Sequence, residues 1–151
     1  MVSWRSPKPL FQVQVLASLQ NIFTCYTSFV KIFVAHSSGY DYTREFYEPL
    51  RNSQIDTIHK IFLPNEKNGK PISTKNVIKN SDVVIAEVSC PSTGQGIELG
   101  WANTFNIPII CIYKKGVKPA SRSLKYLTKT FISYKNKKEM IVKLENELAS
   151  F

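Results

Sequence analysis

Short apolar runs alternate with helical patterns along most of this chain. The runs at 32–35 and 83–86 are rich in β-branched residues, and the run at 108–113 is similar. Continuous apolar stretches of this length predict strands buried on both faces of a parallel sheet. Two further strands are predicted at 57–63 and 131–134. Strands that alternate with helices indicate right-handed βαβ units.

Helical spacing of apolar residues predicts the elements between these strands. Helices are predicted at 43–52, about 96–106 and 139–148, and Ser73 is a plausible N-cap for a short helix. This order of elements predicts a flavodoxin-like, doubly wound α/β fold. Its five-stranded parallel sheet has the order 2-1-3-4-5, with helices on both faces.

The predicted topology selects two loops as the ligand site. In this sheet order the first and third strands flank the switch point, and ligands bind outside their carboxyl ends. The loop at 36–42 follows the first strand, and the loop at 87–96 follows the third. We therefore expect the functional residues in these two loops.

The first thirty residues differ from the remainder of the chain. They contain no Asp or Glu, and they carry Arg5 and Lys8. We predict an N-terminal extension or accessory helix at 1–30 and the folded domain at 31–151. A basic, acid-poor targeting leader is a further interpretation. Polar residues interrupt the apolar stretch and argue against a membrane-spanning helix.

Composition narrows the possible partners and compartment. The 151 residues carry a formal net charge of +9, so anionic ligands are favoured. The late lysines are interspersed with apolar residues, which favours a solvated surface over a nucleic-acid face. Three cysteines without a CxxC pair favour a reduced, cytoplasmic setting. Two scattered histidines predict no metal site, and no cofactor is expected.

The loop after the third strand carries the most informative motif, PSTGQGIELGWA at 91–102. Gly94 and Gly96 allow a ligand to approach the backbone and permit unusual dihedral angles. A helix that begins here presents free N–H groups to an anion, and Ser92 adds a hydroxyl.

Glu98 is the candidate nucleophile of this motif. We predict it in or near the first helical turn, where the helix dipole favours an ionised carboxylate. A carboxylate that faces a crevice can attack an anomeric carbon and form a glycosyl ester. A plain helix-start glutamate is the competing interpretation.

The segments SDVVIAEV at 81–88 and PSTGQGIELGWA at 91–102 resemble the signature of nucleoside 2-deoxyribosyltransferases. They are most similar to the branch of 2'-deoxynucleoside 5'-monophosphate N-glycosidases. The resemblance implies that Glu98 attacks C1' of the sugar and that Ser92 and Ser37 contact the 5'-phosphate. It also implies that Gly94 and Gly96 shape the loop beneath the sugar. Members of this family form dimers, so a homodimer is expected, with Trp101 and Phe105 as candidate contacts.

The chain departs from the family pattern at three places. No acid stands at 72–75, where the monophosphate branch carries an aspartate that assists the leaving base. Ser38 and Gly39 replace an arginine of the first loop, and Phe33 replaces a tyrosine.

A departing base needs a proton or a strong hydrogen bond, so another donor is required. Asp41 and His36 are the candidate catalytic substitutes for the missing aspartate. The predicted substrate-binding residues combine the first loop with the motif around Glu98. They are Ser37, Ser38, Gly39, Glu87, Ser92, Gly94 and Gly96.

The sequence supports an enzyme that cleaves or transfers the N-glycosidic bond of a nucleoside or its 5'-monophosphate. A catalytically weakened nucleotide-binding or signalling module is the first alternative, favoured by the missing acid and arginine. The second is a TIR-like NAD glycohydrolase, because residues 31–38 resemble the opening strand and loop of TIR domains.

Overall fold

The computed structural model of the chain describes residues 28–66 and 73–151. Five strands form one parallel sheet with the order β2-β1-β3-β4-β5, which confirms the predicted flavodoxin-like fold. The strands are β1 (Lys31–Ala35), β2 (Lys60–Phe62), β3 (Val83–Glu87), β4 (Ile109–Lys114) and β5 (Thr130–Tyr134).

The strands are connected mainly by helices. They are α1 (Glu48–Arg51), α2 (Gln54–Ile58), α3 (Thr74–Lys79), α4 (Thr93–Thr104) and α5 (Lys137–Leu148). A π-helical segment, Thr43–Tyr47, leads into α1, and a 3-10 segment, Arg122–Tyr126, lies between β4 and β5. Within the two described ranges, no helix has the length and apolar character needed to cross a membrane.

The sheet divides the core into two layers, because successive residues of a strand point to opposite faces. Ile32 and Val34 of β1 join the layer covered by α1, α2 and α5. Phe33 and Ala35 join the layer covered by α3 and α4. All four side chains are fully buried. Burial on both faces explains why β1 is a continuous apolar run.

The second strand is shorter than predicted. Residues 57–63 were expected to be extended, but α2 covers Gln54–Ile58 and β2 contains only Lys60–Phe62. Ile55 packs into the core from α2, and the His59 N–H donates to its carbonyl oxygen at 2.9 Å. The apolar pattern of this segment fits both a helical turn and a strand, and the core contact of Ile55 selects the helix.

Helix α4 begins three residues before the predicted start at Gly96. Ser92 is its N-cap, and the Ser92 Oγ accepts a hydrogen bond from the backbone N–H of Gln95 at 3.4 Å. This cap satisfies one of the free amides of the first turn. The glycines of the motif therefore belong to the helix rather than to a loop.

The predicted N-terminal extension lies mostly outside the described residues. Val30, which was assigned to it, packs into the core and is 6% exposed. Its carbonyl oxygen accepts a hydrogen bond from the Lys60 N–H at 3.0 Å, next to the paired residues of β1 and β2. Val30 therefore packs as part of the sheet, while the boundary at 31 stays a prediction.

Arg51 should be a main electrostatic contribution to stability. Its guanidinium, 15% exposed, pairs with Asp56 at 2.5 Å and Glu66 at 2.6 Å. We expect Arg51→Met to lower the free energy of unfolding by about 2 kcal/mol, because two partly buried carboxylates lose their partner. Urea denaturation measures the change. Lys137→Met, which removes an exposed pair with Glu45, is the control and should change stability little.

Candidate functional site

The switch point of the sheet is where the functional loops meet. Strands β1 and β3 lie side by side, with Ala35 paired to Ala86 near their carboxyl ends. The chain leaves β1 toward the α1 face, whereas the segment after β3 leads into α4 on the other face. The two connections diverge, and the crevice between them is the usual ligand position in this fold.

The glycines at the start of α4 leave the helix surface open. Gly94 and Gly96 are exposed, and a Cβ placed on Gly96 would meet nothing within 4 Å. Gly94 and Gly96 do not use the unusual dihedral angles that glycine permits, since Gly116 is the glycine with positive φ in the described ranges. Both lie in the first turns of α4 and have helical backbone. Their contribution is therefore the absence of side chains where a ligand would approach.

Gln95 lies between these glycines and points the other way. It is 5% exposed, and its Nε2 donates to the Glu87 carbonyl oxygen at 2.7 Å and to the Ala35 carbonyl oxygen at 3.2 Å. These acceptors belong to the last residues of β3 and β1. One side chain thus connects the start of α4 with both strands of the switch point.

Glu98 is the sixth residue of α4, so it lies in the second turn and not in the first. Its side chain is partly buried, and burial raises the pKa of Glu98 to about 7, against a hydrogen bond from Thr74 that lowers it. Burial therefore opposes the ionised form that the helix dipole was expected to favour. The dipole acts mainly within the first turn, and the loss of water outweighs it here.

His36 and Tyr47 form a buried hydrogen-bonded pair beside Glu98. The Nδ1–H of His36 donates to the Ser37 carbonyl oxygen at 2.9 Å, which leaves Nε2 to accept from the Tyr47 hydroxyl at 2.5 Å. Burial lowers the pKa of His36, so the ring is neutral. The pKa of Tyr47 is raised mainly by burial and in part by the charge of Glu98. His36 therefore orients a tyrosine hydroxyl that lies near the Glu98 carboxylate.

Ser37 connects the loop after β1 with the loop after β3. Its hydroxyl donates to the Pro91 carbonyl oxygen at 3.3 Å and accepts from the Gly39 N–H at 3.1 Å. Ser37 is 3% exposed, while Ser38 and Gly39 are exposed. The loop after β1 thus presents Ser38 and Gly39 to solvent and uses Ser37 as a bridge to the start of α4.

Asp41 is exposed and occupied with the helix that follows it. Its carboxylate accepts from the Arg44 N–H at 3.2 Å, and its carbonyl oxygen accepts from the Glu45 N–H at 3.0 Å. Both contacts stabilise the start of the π-helical segment. No contact between Asp41 and Glu98 is found in the described part of the chain.

Glu87 lies on the opposite face of the sheet from α4. Its carboxylate is 1% exposed and accepts hydrogen bonds from the Tyr134 hydroxyl at 3.0 Å and from the hydroxyl and N–H of Ser89. Tyr134 belongs to the core layer of α5. The structure therefore does not bring the Glu87 carboxylate together with Glu98, although its carbonyl oxygen binds Gln95.

A cavity of about 340 Å³ lies between the start of α4 and the 3-10 segment. Its lining residues combine apolar side chains with the hydroxyl groups of two serines and a threonine. They are Val88, Pro91, Ser92, Thr93, Gln95, Gly96, Leu99, Ala120, Ser121 and Leu124. Ser92 and Gly96 line this cavity, whereas Glu98 is oriented toward Thr74 on the other side of α4. In residues 28–66 and 73–151, no cluster of three His, Cys, Asp or Glu residues could hold a metal.

Three residues of this region were missed as site residues by sequence analysis. Tyr47 lies within the helix predicted at 43–52, and Thr74 lies in the stretch 72–75 that carries no acid. Gln95 lies within the motif at 91–102 but was given no role there. The sequence signal for Gln95 was a polar side chain at a position with the helical spacing of the buried residues Leu99 and Ala102.

The comparisons with known proteins add a partial sequence match. No protein-family model matches the chain. A protein of Syntrophotalea carbinolica, named as a 2'-deoxynucleoside 5'-phosphate N-hydrolase, is 44% identical over 41 residues. The matched segment is 27% of this chain and 29% of that protein. The resemblance to the nucleoside 2-deoxyribosyltransferase family is confirmed.

Solved structures support the same fold. The CMP N-glycosidase of Clostridium botulinum is 24% identical, with a TM-score of 0.56 over 76% of this chain and 98% of that one. A conserved protein of Enterococcus faecalis is 16% identical, with a TM-score of 0.52 over 80% and 99% of the two chains. At this identity the likeness establishes the α/β fold.

The partly buried carboxyl of Glu98 should make stability depend on pH. Its folded pKa of about 7 lies above the unfolded value of 4.5, so folding favours the protonated form. The contribution of the protonated Glu98 carboxyl to the free energy of unfolding is complete below pH 4.5 and is lost as the pH rises through 7. Glu98→Gln should therefore be up to about 3 kcal/mol more stable than the wild type at pH 8.5, and about equal to it at pH 4. Urea unfolding at both pH values measures the difference.

The control for this prediction is Glu48→Gln, which changes an exposed glutamate on α1. A gain of Glu98→Gln that is the same at both pH values would contradict the burial of the charge. An equal gain in Glu48→Gln at pH 8.5 would point to a general charge effect instead.

Proposed function

We propose that this protein is an enzyme that cleaves the N-glycosidic bond of a nucleoside 5'-monophosphate, with Glu98 as the nucleophile. One observation carries the proposal. Glu98 is a partly buried carboxyl on α4, beside the switch-point crevice, within a motif at 91–102 that resembles the signature of the N-glycosidase branch. A desolvated carboxylate is a stronger nucleophile than a hydrated one, because less water must be displaced before attack.

The reaction has two steps. An ionised Glu98 oxygen attacks C1' of the sugar, the C1'–N bond breaks, and the bonding electron pair leaves with the base nitrogen, which takes up a proton. Water then attacks C1' of the sugar ester and loses a proton, the bond from C1' to the Glu98 oxygen breaks, and the sugar phosphate and the carboxylate are released; this proton balances the one taken up by the base. Attack by a second base in place of water would give transfer. Thr74 hydrogen-bonds the carboxyl and would help orient it for attack.

The phosphate is proposed to bind at the start of α4. Ser92 caps the helix, and Gly94 and Gly96 leave its first turns uncovered. Ser37, which bridges to the Pro91 carbonyl oxygen, is proposed as a second contact, with Ser38 and Gly39 exposed beside it. Helix amides, hydroxyl groups and a net charge of +9 all favour an anionic substrate.

The two proposed proton donors have other partners in this geometry. Both ring nitrogens of His36 are occupied, and the Asp41 carboxylate caps a helix. We therefore propose His36 as a residue that orients Tyr47 rather than as the acid itself. The Asp41 carboxylate uses Oδ1 for its cap contact with the Arg44 N–H, and its carbonyl oxygen also accepts within the helix start.

A nucleotide-binding module without efficient turnover is the second candidate. It is favoured because His36 and Asp41, the candidate proton donors, both make hydrogen bonds within the fold. In this case the crevice and the phosphate contacts would be retained, while a base would leave slowly for lack of a proton.

Base release decides between the two candidates. The purified protein is incubated with deoxynucleoside and ribonucleoside 5'-monophosphates, the free nucleosides and NAD, and free base is measured. We expect release from monophosphates, and Glu98→Gln should lose at least about a thousandfold in kcat because the nucleophile is absent. The kcat/KM value should rise with pH and level off above about 7, as Glu98 ionises.

The matched control is Glu145→Gln on α5, which should keep the wild-type rate. Tight binding of a monophosphate without base release would support the module instead. Release of nicotinamide from NAD, without release of base from monophosphates, would support the TIR-like alternative.

We further propose a cytoplasmic homodimer that forms through α4. Ile97 is 50% exposed on this helix, and Trp101, one turn later, is partly buried against the core. Apolar exposure next to a crevice suits a second subunit that covers it.

Sedimentation velocity tests the dimer. Ile97→Glu should convert a dimer to a monomer, because a charge would be buried at the interface. Val142→Glu changes a side chain of similar exposure, 47%, on α5 and should leave the dimer intact. A monomeric wild-type protein would contradict this part of the proposal.

A further inference from the structure

The Gln95 side chain has no role in the proposed reaction steps, although it makes two buried hydrogen bonds. Its carboxamide donates hydrogen bonds to the carbonyl oxygens of Ala35 and Glu87, the last residues of β1 and β3. Its orientation is defined, because both acceptors are carbonyl oxygens and only the NH2 end of the side chain can donate to them. A flipped amide would place oxygen against oxygen.

Gln95 is a neighbour of the proposed nucleophile, Glu98, on the surface of α4. Residues three apart on a helix are neighbours on its surface, so Gln95 and Glu98 lie one above the other. Gln95 is 5% exposed and Leu99 is 1% exposed, so this side of the helix faces the sheet. The Ser92 Oγ accepts from the Gln95 N–H, which fixes the same residue through its backbone as well.

We infer that Gln95 is a positioning residue. Its two hydrogen bonds hold the start of α4 against the carboxyl ends of β1 and β3 and thereby fix the Glu98 carboxyl relative to the crevice. The catalytic consequence of this inference rests on the proposed function. The two hydrogen bonds that hold α4 against β1 and β3 do not depend on the reaction.

The first test is the kinetics of Gln95→Met, a substitution that keeps the length of the side chain and removes both donors. We expect kcat to fall 10- to 100-fold with KM changed less than about threefold, because a small displacement of the nucleophile affects attack more than binding. Gln95→Lys restores a donor and should recover a large part of kcat. If Gln95→Met keeps the wild-type kcat, the inference is wrong.

Thr104→Val is the control on the same helix. The Thr104 hydroxyl donates to the Gly100 carbonyl oxygen at 2.9 Å, so this variant removes one hydrogen bond of α4 far from the strand ends. It should keep the wild-type kcat. A loss in Thr104→Val equal to that in Gln95→Met would show a general weakening of α4 and would overturn the positioning role.

The second test does not need the reaction. The carboxyl of Glu98 is titrated by 13C NMR in the wild type and in both Gln95 variants. We expect a midpoint near 7 in the wild type and a lower midpoint in Gln95→Met, because a loosened helix start admits water to the carboxyl. An unchanged midpoint overturns the inference even if no base is released. If no base is released but the midpoint still falls in Gln95→Met, the proposed function is wrong and the positioning role of Gln95 stands.

Discussion

The pairing of β1 with β3 is the constraint on which the rest of the structure depends. The register from Ile32 with Val83 to Ala35 with Ala86 places the carboxyl ends of both strands at one edge of the sheet. Both strands are buried on two faces, so their register cannot shift without exposing apolar side chains. The diverging connections then create the crevice, and Gln95 joins its two sides.

Burial of the Glu98 carboxyl destabilises its ionised form in the folded protein. A carboxyl that is partly buried near the buried Tyr47 hydroxyl loses hydration, and its raised pKa is the thermodynamic sign of that loss. The same desolvation makes the ionised form reactive. Perturbed pKa values of this kind cluster at functional sites, which supports the choice of Glu98 over exposed carboxylates such as Asp41.

The structure shows what the residues at the departures from the family pattern contact. Thr74 stands in the stretch without an acid, and its hydroxyl hydrogen-bonds Glu98. Phe33, on the first strand, is buried and stacks on Phe62 at 5.7 Å between ring centroids, so it belongs to the core. The hydroxyl near Glu98 is instead supplied by Tyr47, which His36 orients. Thr74 thus contacts Glu98 from a position outside the motif, and the charge of Glu98 acts on the Tyr47 hydroxyl.

The sequence by itself determined the fold. Strands buried on both faces of a parallel sheet must be continuously apolar, so the runs at 32–35 and 83–86 could be recognised locally, and their order fixed the topology. It also indicated the segment after β3, because a serine cap and glycines at a helix start are local features. The segment at 57–63 was ambiguous, since its apolar spacing fits a helical turn as well as a strand.

Only the tertiary structure decided which side chains meet. The carboxylates of Glu87 and Glu98 are only eleven positions apart but lie on opposite faces of the sheet. Strand alternation points Glu87 toward the α5 layer, whereas Glu98 belongs to the helix that covers the other face. The pKa of Glu98 depends on burial by distant segments, and the pairing of His36 with Tyr47 depends on the path of the loop after β1. Burial and contacts between distant residues arise from packing, and spacing along the chain does not encode them.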